Sequence, residues 1–240
     1  MGRGGENVGS AIVLLLALDT ATPAVTVAVH DGNRVLSTRS TVDARRHGEL
    51  LVPMLSDVLT EAGAVPRDIT DIAVGVGPGP FTGLRVGLVT ARTTASVVGA
   101  VVHGVCSLDT LAAAVGSDGP FVVATDARRH EVHWAAYDAT GRRTDGPAVD
   151  RPGDLAARLG ADVPVVGRGA ALYADDLCRG APPLDGPLDP DAGVLAQAVV
   201  DGRVALLPVE PLYLRRPDAQ VPGPMKPVVP QHRRRRRAGP

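Results

Sequence analysis

A strand–Asp–turn–strand pattern occurs twice in the chain, and this recurrence limits the fold more than any other feature. Placing Asp126 under Asp19 sets Val132 under Val25, Trp134 under Val27 and Asp138 under Asp31 with no gap. Each copy has an apolar strand ending in Asp, a short turn, an alternating strand and a second turn, and each opens one half of the chain. Internal duplication accounts for this better than two chance hairpins. The first copy continues through the turn Asp31-Gly32-Asn33 into a strand over Arg34 to Ser40. A helix follows between His47 and Ala62, and Pro53 suits a first helical turn, so its regular part is expected to begin there. A buried strand covers Asp71 to Val76, a helix Thr82 to Val98 and a strand Val101 to Val105. Ser107 is expected to cap a short helix containing Thr110 and Leu111. The second half is thinner, with helices near Pro152 to Leu159, Ala170 to Cys178 and Asp189 to Val200 and a strand at Val163 to Val166. Two β-β-β-α-β-α halves describe a duplicated ribonuclease-H-like, actin-like (ASKHA) α/β fold, with two lobes and mixed sheets.

Composition narrows the function. The chain of 240 residues is 45% hydrophobic and 21% charged, enough for a sizeable core, but only 2% aromatic. Ala, Val and Leu must fill the interior, and recognition by aromatic stacking is excluded as the main mode of binding. Residues 1–217 hold 19 Lys and Arg against 25 Asp and Glu, a balance of −6, whereas the stretch from Asp218 holds six basic residues and one acid, a balance of +5. The body therefore lacks the charge of a self-sufficient nucleic-acid binder. Residues 1–10 read as a disordered leader, 11–106 as the first lobe, 107–216 as the second and 217–240 as a Pro- and Arg-rich tail. The run Arg233 to Arg237 is either a solvated tail or a weak grip on RNA phosphates. The apolar run Ala11 to Leu18 is too short for a membrane helix and ends in Asp19, so it reads as a buried strand. Cys106 and Cys178 have no metal-binding spacing and suit a reducing, cytoplasmic setting.

The chemistry offered by the motifs is sparse. Asp19 and Asp126 would face each other across the cleft if the halves are related, and could then hold a magnesium ion over a phosphate; otherwise each caps its own turn. Thr20 could donate to a phosphate, but the only lysine is Lys226. Gly75, Gly77, Gly79 and Gly83, between a strand and a helix, either cradle an anion or make a tight turn with Thr82 as the helix cap. The segment is not a P-loop, since the Lys-Ser/Thr ending is absent. His130 and His133 point to opposite faces of a strand, and neither cysteine has an activating histidine nearby, so neither a catalytic nor a metal residue is assigned. Two helices carry more apolar surface than one core contact requires. Leu50, Leu51, Val52, Met54, Leu55, Val58, Leu59 and Ala62 spread over roughly 200° of a wheel. Gly83, Gly87, Ala91 and Ala95 form a row of small side chains that faces either the sheet beneath or another helix. A partner interface is therefore expected over Leu50, Leu51, Met54, Leu55, Val58, Gly83, Val86, Gly87, Thr90, Ala91 and Thr94.

Leu16-Ala-Leu-Asp19-Thr20-Ala21-Thr22, the His47-Gly-Glu-Leu-Leu-Val-Pro53-Met54-Leu55 helix and Gly77-Pro78-Gly79-Pro80-Phe81-Thr82-Gly83-Leu84-Arg85-Val86-Gly87 together resemble the TsaB (YeaZ) family. Further matches are Ser107-Leu-Asp-Thr-Leu, Asp126-Ala127-Arg128 with Glu131-Val-His-Trp-Ala, and Pro211-Leu-Tyr213-Leu-Arg215. The resemblance spans residues 14–216. It implies the actin-like duplicated fold and a non-catalytic, cofactor-free subunit of the assembly that places threonylcarbamoyl on tRNA adenosine 37. The implied partners are the catalytic sibling TsaD, the ATPase TsaE, tRNA reached through the complex and a second copy of the chain when TsaD is absent, with no membrane. The sibling's His-x-x-x-His metal pair is represented here by His47 alone, and Pro80 stands where relatives usually carry Ser. The competing reading is an actin-like ATP-binding phosphotransferase with a nucleotide loop formed by Asp19, Thr20, Gly77, Gly79, Thr82 and Asp126.

Overall fold

The computed structural model describes residues 14–159, 163–179 and 182–214. The expected leader and the Arg-rich tail lie outside the described residues. In the first half, β1 (Leu15–Asp19), β2 (Ala24–His30) and β3 (Val35–Val42) form a meander, followed by α1 (His47–Glu61), a 3₁₀ turn (Pro66–Asp68), β4 (Asp71–Gly77), α2 (Phe81–Val98), β5 (Val101–Cys106) and α3 (Ser107–Ala112). The second half repeats the meander with β6 (Phe121–Asp126), β7 (Val132–Tyr137) and β8 (Arg143–Asp150). It continues with α4 (Pro152–Leu159), β9 (Val165–Val166), α5 (Arg168–Leu172), α6 (Ala174–Leu177), α7 (Ala192–Val200) and β10 (Leu206–Leu207).

The strands build two mixed sheets, ordered β10-β5-β4-β1-β2-β3 and β8-β7-β6-β9. In both, the meander is antiparallel and its first strand pairs in parallel with a later one, β1 with β4 and β6 with β9. This shared order is the duplicated actin-like architecture, with a shortened second copy. The repeat is not register-perfect. Asp19 lies opposite Thr26, but Asp126 lies opposite Val132, one residue short of the gap-free match. Six residues separate the paired positions in the first hairpin and five in the second, so the β6–β7 turn is tighter. Arg128, Arg129 and His130 absorb the difference in left-handed backbone conformations. The chain also crosses the expected 106/107 division. α7 returns to cover β1, β2 and β3, and β10 pairs with the edge of β5.

Layering follows apolar patterning. One face of the first sheet packs on α1 and α2 through Leu16, Leu18, Val25, Val27, Leu51 and Val58, and the other face packs on α7 through Leu15, Ala17 and Leu195. Trp134 anchors the outer layer of the second sheet, while Phe121 and Tyr137 stack at 5.4 Å between that sheet and α3. With so few aromatics, branched aliphatic side chains supply most of the buried volume. Two local expectations are corrected. α1 begins at His47, not at Pro53. The proline sits on the exposed face, and the buried His47 ring donates its Nε2–H to the Thr22 carbonyl at 2.8 Å, which fixes the first turn. Ser107 does not cap α3, because its hydroxyl is turned to Asp19.

Candidate functional site

Two regions compete as functional sites: the joint around Asp19 and the glycine string, and the outer surface of α1 and α2. At the joint, Asp19 is 1% exposed. Its Oδ1 accepts the Ala21 amide at 2.7 Å and its Oδ2 accepts the Ser107 hydroxyl at 2.6 Å. Gly75 passes directly over the carboxylate, where an added Cβ would lie 1.8 Å from Oδ2. Asp126 is held separately: its Oδ1 accepts the Arg128 amide at 2.9 Å and the Tyr173 hydroxyl at 3.2 Å. Both acids therefore brace their own turns by the same bond to the amide two residues on. Neither presents a bare carboxylate to an open cleft. Among the described residues, no group of three or more His, Cys, Asp or Glu is arranged to hold a metal ion.

Burial pushes the Asp19 carboxyl up to about 6, against the hydrogen bonds from Ser107 and Ala21 that pull it down; Asp189 raises it further and His47 lowers it. Between about pH 4 and 6 the folded protein keeps this proton and the unfolded chain loses it. Stability from this group is thus fully present below pH 4 and is lost as pH rises to 6. Relative to the parent protein, Asp19→Asn should gain about 3 kcal/mol of stability between pH 4 and pH 7. Urea melts of both proteins at the two pH values measure this, and a gap that does not change with pH would refute it.

The glycine string is a packing joint. An added Cβ on Gly79 would lie 2.2 Å from the Ala21 carbonyl oxygen, and one on Gly83 would lie 2.4 Å from that of Thr20. The Thr20 hydroxyl donates to the Gly83 carbonyl at 2.7 Å. The β1–β2 turn thus fills the space in which an anion cradle would need room. Gly77 has φ +99°, a conformation that favours glycine, and its amide donates to Ser107. Pro80, not Thr82, occupies the cap position of α2, with no side-chain capping bond. Thr82 is exposed beside a pocket of about 220 Å³ shared with Thr20, Thr22, Arg45, His47 and Arg128. The thiol of Cys106 is buried and pushed up to about 12, chiefly by desolvation, so it is no nucleophile at neutral pH.

The helix surface differs from the sequence expectation in an instructive way. Of the eleven residues assigned to it, Leu51, Met54, Leu55, Val58, Gly83, Gly87 and Ala91 are buried within the chain's own core, and Leu50, Val86, Thr90 and Thr94 are half-buried. The small-residue row faces inward: an added Cβ on Gly87 would lie 2.5 Å from the Thr20 hydroxyl. The row lets α2 approach β1 and its turn and offers nothing to a second molecule. Leu55, Thr90 and Thr94, however, line an apolar groove of about 480 Å³ between α1 and α2. Its rim adds residues outside those eleven, among them Val52 from the apolar arc of α1. Val52 is 61% exposed and Val97 81% exposed, with Val65 and Pro66 from the 3₁₀ turn closing one end. The sequence expectation included Val86, Thr90 and Thr94; the missed signal is that Val89, Thr93 and Val97 extend them into a stripe on α2 at helical spacing. β-Branched residues are indifferent helix formers, so their repetition on a solvent face calls for another reason.

A family model described as TsaD, tRNA N6-adenosine threonylcarbamoyltransferase, matches residues 35–175. An uncharacterised protein of Mycobacterium leprae is 43% identical over 211 residues, which are 86% of this chain and 56% of that protein. The tRNA threonylcarbamoyladenosine biosynthesis protein TsaB of Escherichia coli is 38% identical over 126 residues, or 51% of this chain and 54% of that protein. The chain thus spans about half the length of these curated relatives. The solved structure of YeaZ from Pseudomonas aeruginosa superposes with a TM-score of 0.70 at 30% identity, covering 85% of this chain and all of that one. Among the described residues no helix is long and apolar enough to cross a membrane.

Proposed function

The chain belongs to the TsaB/YeaZ family, and from that premise we propose that it is a non-catalytic scaffold for the threonylcarbamoylation of tRNA adenosine in the cytoplasm. In this reading the groove between α1 and α2 seats the helices of the catalytic sibling TsaD. A second copy of the chain takes that place when the sibling is absent. TsaE and tRNA join through the complex, not through this subunit alone.

One observation carries the proposal: among the described residues of the first lobe the α1–α2 groove is a markedly apolar open surface, while the glycine string is packed against Asp19 and the β1–β2 turn. Exposed valines along a groove on paired helices suit an amphipathic helical partner, which would bury them in a contact of the helix-in-groove type. The catalytic sibling's second metal histidine would fall at position 51, where this chain has buried Leu51, and His47 is already committed to the Thr22 carbonyl. A subunit so equipped supplies geometry to another protein's active site.

Co-expression with the catalytic subunit followed by gel filtration tests the assembly, and omission of this chain from a reconstituted tRNA modification reaction tests the function. Co-elution and loss of modified adenosine on omission are expected. A chain that never co-elutes, or a reaction that runs equally well without it, would overturn the proposal. Calorimetry on the isolated chain addresses the phosphotransferase alternative, for which micromolar Mg-ATP affinity lost in Asp19→Ala would be required.

A further inference from the structure

A second cleft lies away from both the glycine joint and the helix groove. It has a volume of about 530 Å³ and is walled by three segments far apart in sequence: the end of α3, the β7–β8 turn and the connection from α7 to β10. Arg142, Arg143 and Arg203 line it, with Asp109 as the only lining carboxylate. Asp109 is nearly buried and accepts the Tyr137 hydroxyl at 2.8 Å. Arg143 Nη1 stands 3.4 Å from the same carboxylate but is buried without a hydrogen-bond partner. That nitrogen faces Asp109 and is closed off from solvent, while the side chain as a whole, 23% exposed, lines the cleft.

The other two arginines differ in how far they are committed. Arg203 donates to Asp201 through Nε at 3.1 Å and to the Ala113 carbonyl at 3.3 Å. Arg142 is exposed on the turn, and its backbone amide is used by Asp138. Two further turn amides are occupied: Thr140 donates to Asp138 Oδ1 and Gly141 to the Asp138 carbonyl. The charged groups left to meet an anion at this turn are the side chains of Arg142 and Arg143. The opposite wall is apolar, with Ala112, Val115 and Val204.

We propose that this cleft binds a small organic phosphate, its dianionic end between Arg142 and Arg143 and its body against Ala112, Val115 and Val204. Planar guanidinium groups match the oxygens of a phosphate better than any other side chain. Three lining arginines against one lining carboxylate, which pairs with Arg143, leave a surplus of two positive charges that a dianion answers. The volume suits a molecule the size of a mononucleotide. The proposal is independent of the scaffold reading, because none of the cleft's walls touches the α1–α2 groove.

The test is calorimetric titration of the full chain with AMP, inorganic phosphate and adenosine. AMP should bind at one site, phosphate more weakly and adenosine not at all. Arg142→Ala and Arg143→Lys should each weaken AMP by about tenfold, the scale of one charge-assisted hydrogen bond lost. Arg143→Lys keeps the positive charge beside Asp109, and Arg142 is exposed, so a failure to fold would not obscure both variants. Binding that is equal in both variants and the parent would place AMP elsewhere and overturn the proposal. So would adenosine binding as tightly as AMP, phosphate binding as tightly as AMP, or no binding of either phosphate at 10 mM, a concentration on the order of the weakest specific affinities.

Discussion

Changing Val52 and Val97 together to aspartate should abolish co-elution with the catalytic subunit and leave the thermal midpoint within about 5 °C of the parent. The two effects separate because these valines contribute little to the isolated fold, being 61% and 81% exposed. Val97 lies in the last turn of α2, where an acid opposes the helix dipole at a cost of about 0.5 kcal/mol. In an assembled groove the same carboxylates would be taken out of water without partners, a penalty of roughly 3–5 kcal/mol each. That is a loss of affinity of roughly 10² to several times 10³ per site, enough to take even a nanomolar complex out of reach of gel filtration. Leu172→Asp is the matched control, since this side chain is also exposed but lies on α5 in the second half. It should co-elute normally. If the double variant assembles like the parent, the groove is not the docking surface. If Leu172→Asp also fails to assemble, the effect is one of charge or folding and says nothing about the groove.

Hairpins were legible in the sequence because their signals are local. Asp31 and Asp138 each close the turn that follows them by accepting nearby amides, as their positions in the repeated pattern suggested. Helix α4 was legible at both ends, with Pro152 in its first turn and an apolar face that stays on one side. The register slip between the copies was not, because a gap-free match counts residues and not hydrogen bonds. Strand β8 was hidden by Gly146 and Pro147 at its irregular middle, and the return of α7 and β10 to the first sheet leaves no trace in local periodicity. The row from Gly83 to Ala95 was visible, but its meaning was not. A stripe of small residues reports that something comes close without saying what. Here the neighbour is Thr20, a residue 63 positions earlier that accounts for the glycines by occupying their Cβ space.

That reading of the stripe gives opposite signs to one substitution at two helical glycines. Gly83→Ala should lower stability by about 3 kcal/mol or more, at the upper end of overpacking costs, whereas Gly48→Ala should raise it by about 0.5–1 kcal/mol. Both residues lie in the first turn of a helix, so propensity alone predicts a gain in each case. At Gly48 nothing lies within 4 Å of the new methyl group, and the propensity gain is realised. At Gly83 the methyl would meet the Thr20 carbonyl oxygen at 2.4 Å, a backbone atom that cannot rotate away. Relief requires α2 to lift from the β1–β2 turn, which would stretch the Thr20–Gly83 hydrogen bond and loosen Leu84 and Leu88 from the core. Gly79→Ala, against the Ala21 carbonyl at 2.2 Å, should behave like Gly83→Ala. For a protein of this length these changes correspond to a fall of roughly 6–12 °C at the joint and a rise of roughly 2 °C at Gly48, resolvable by calorimetry. A Gly83→Ala protein as stable as the parent would mean that α2 does not rest on this turn. The small-residue row would then be free for a partner after all, and the docking surface would move from the valine rim to the glycine face.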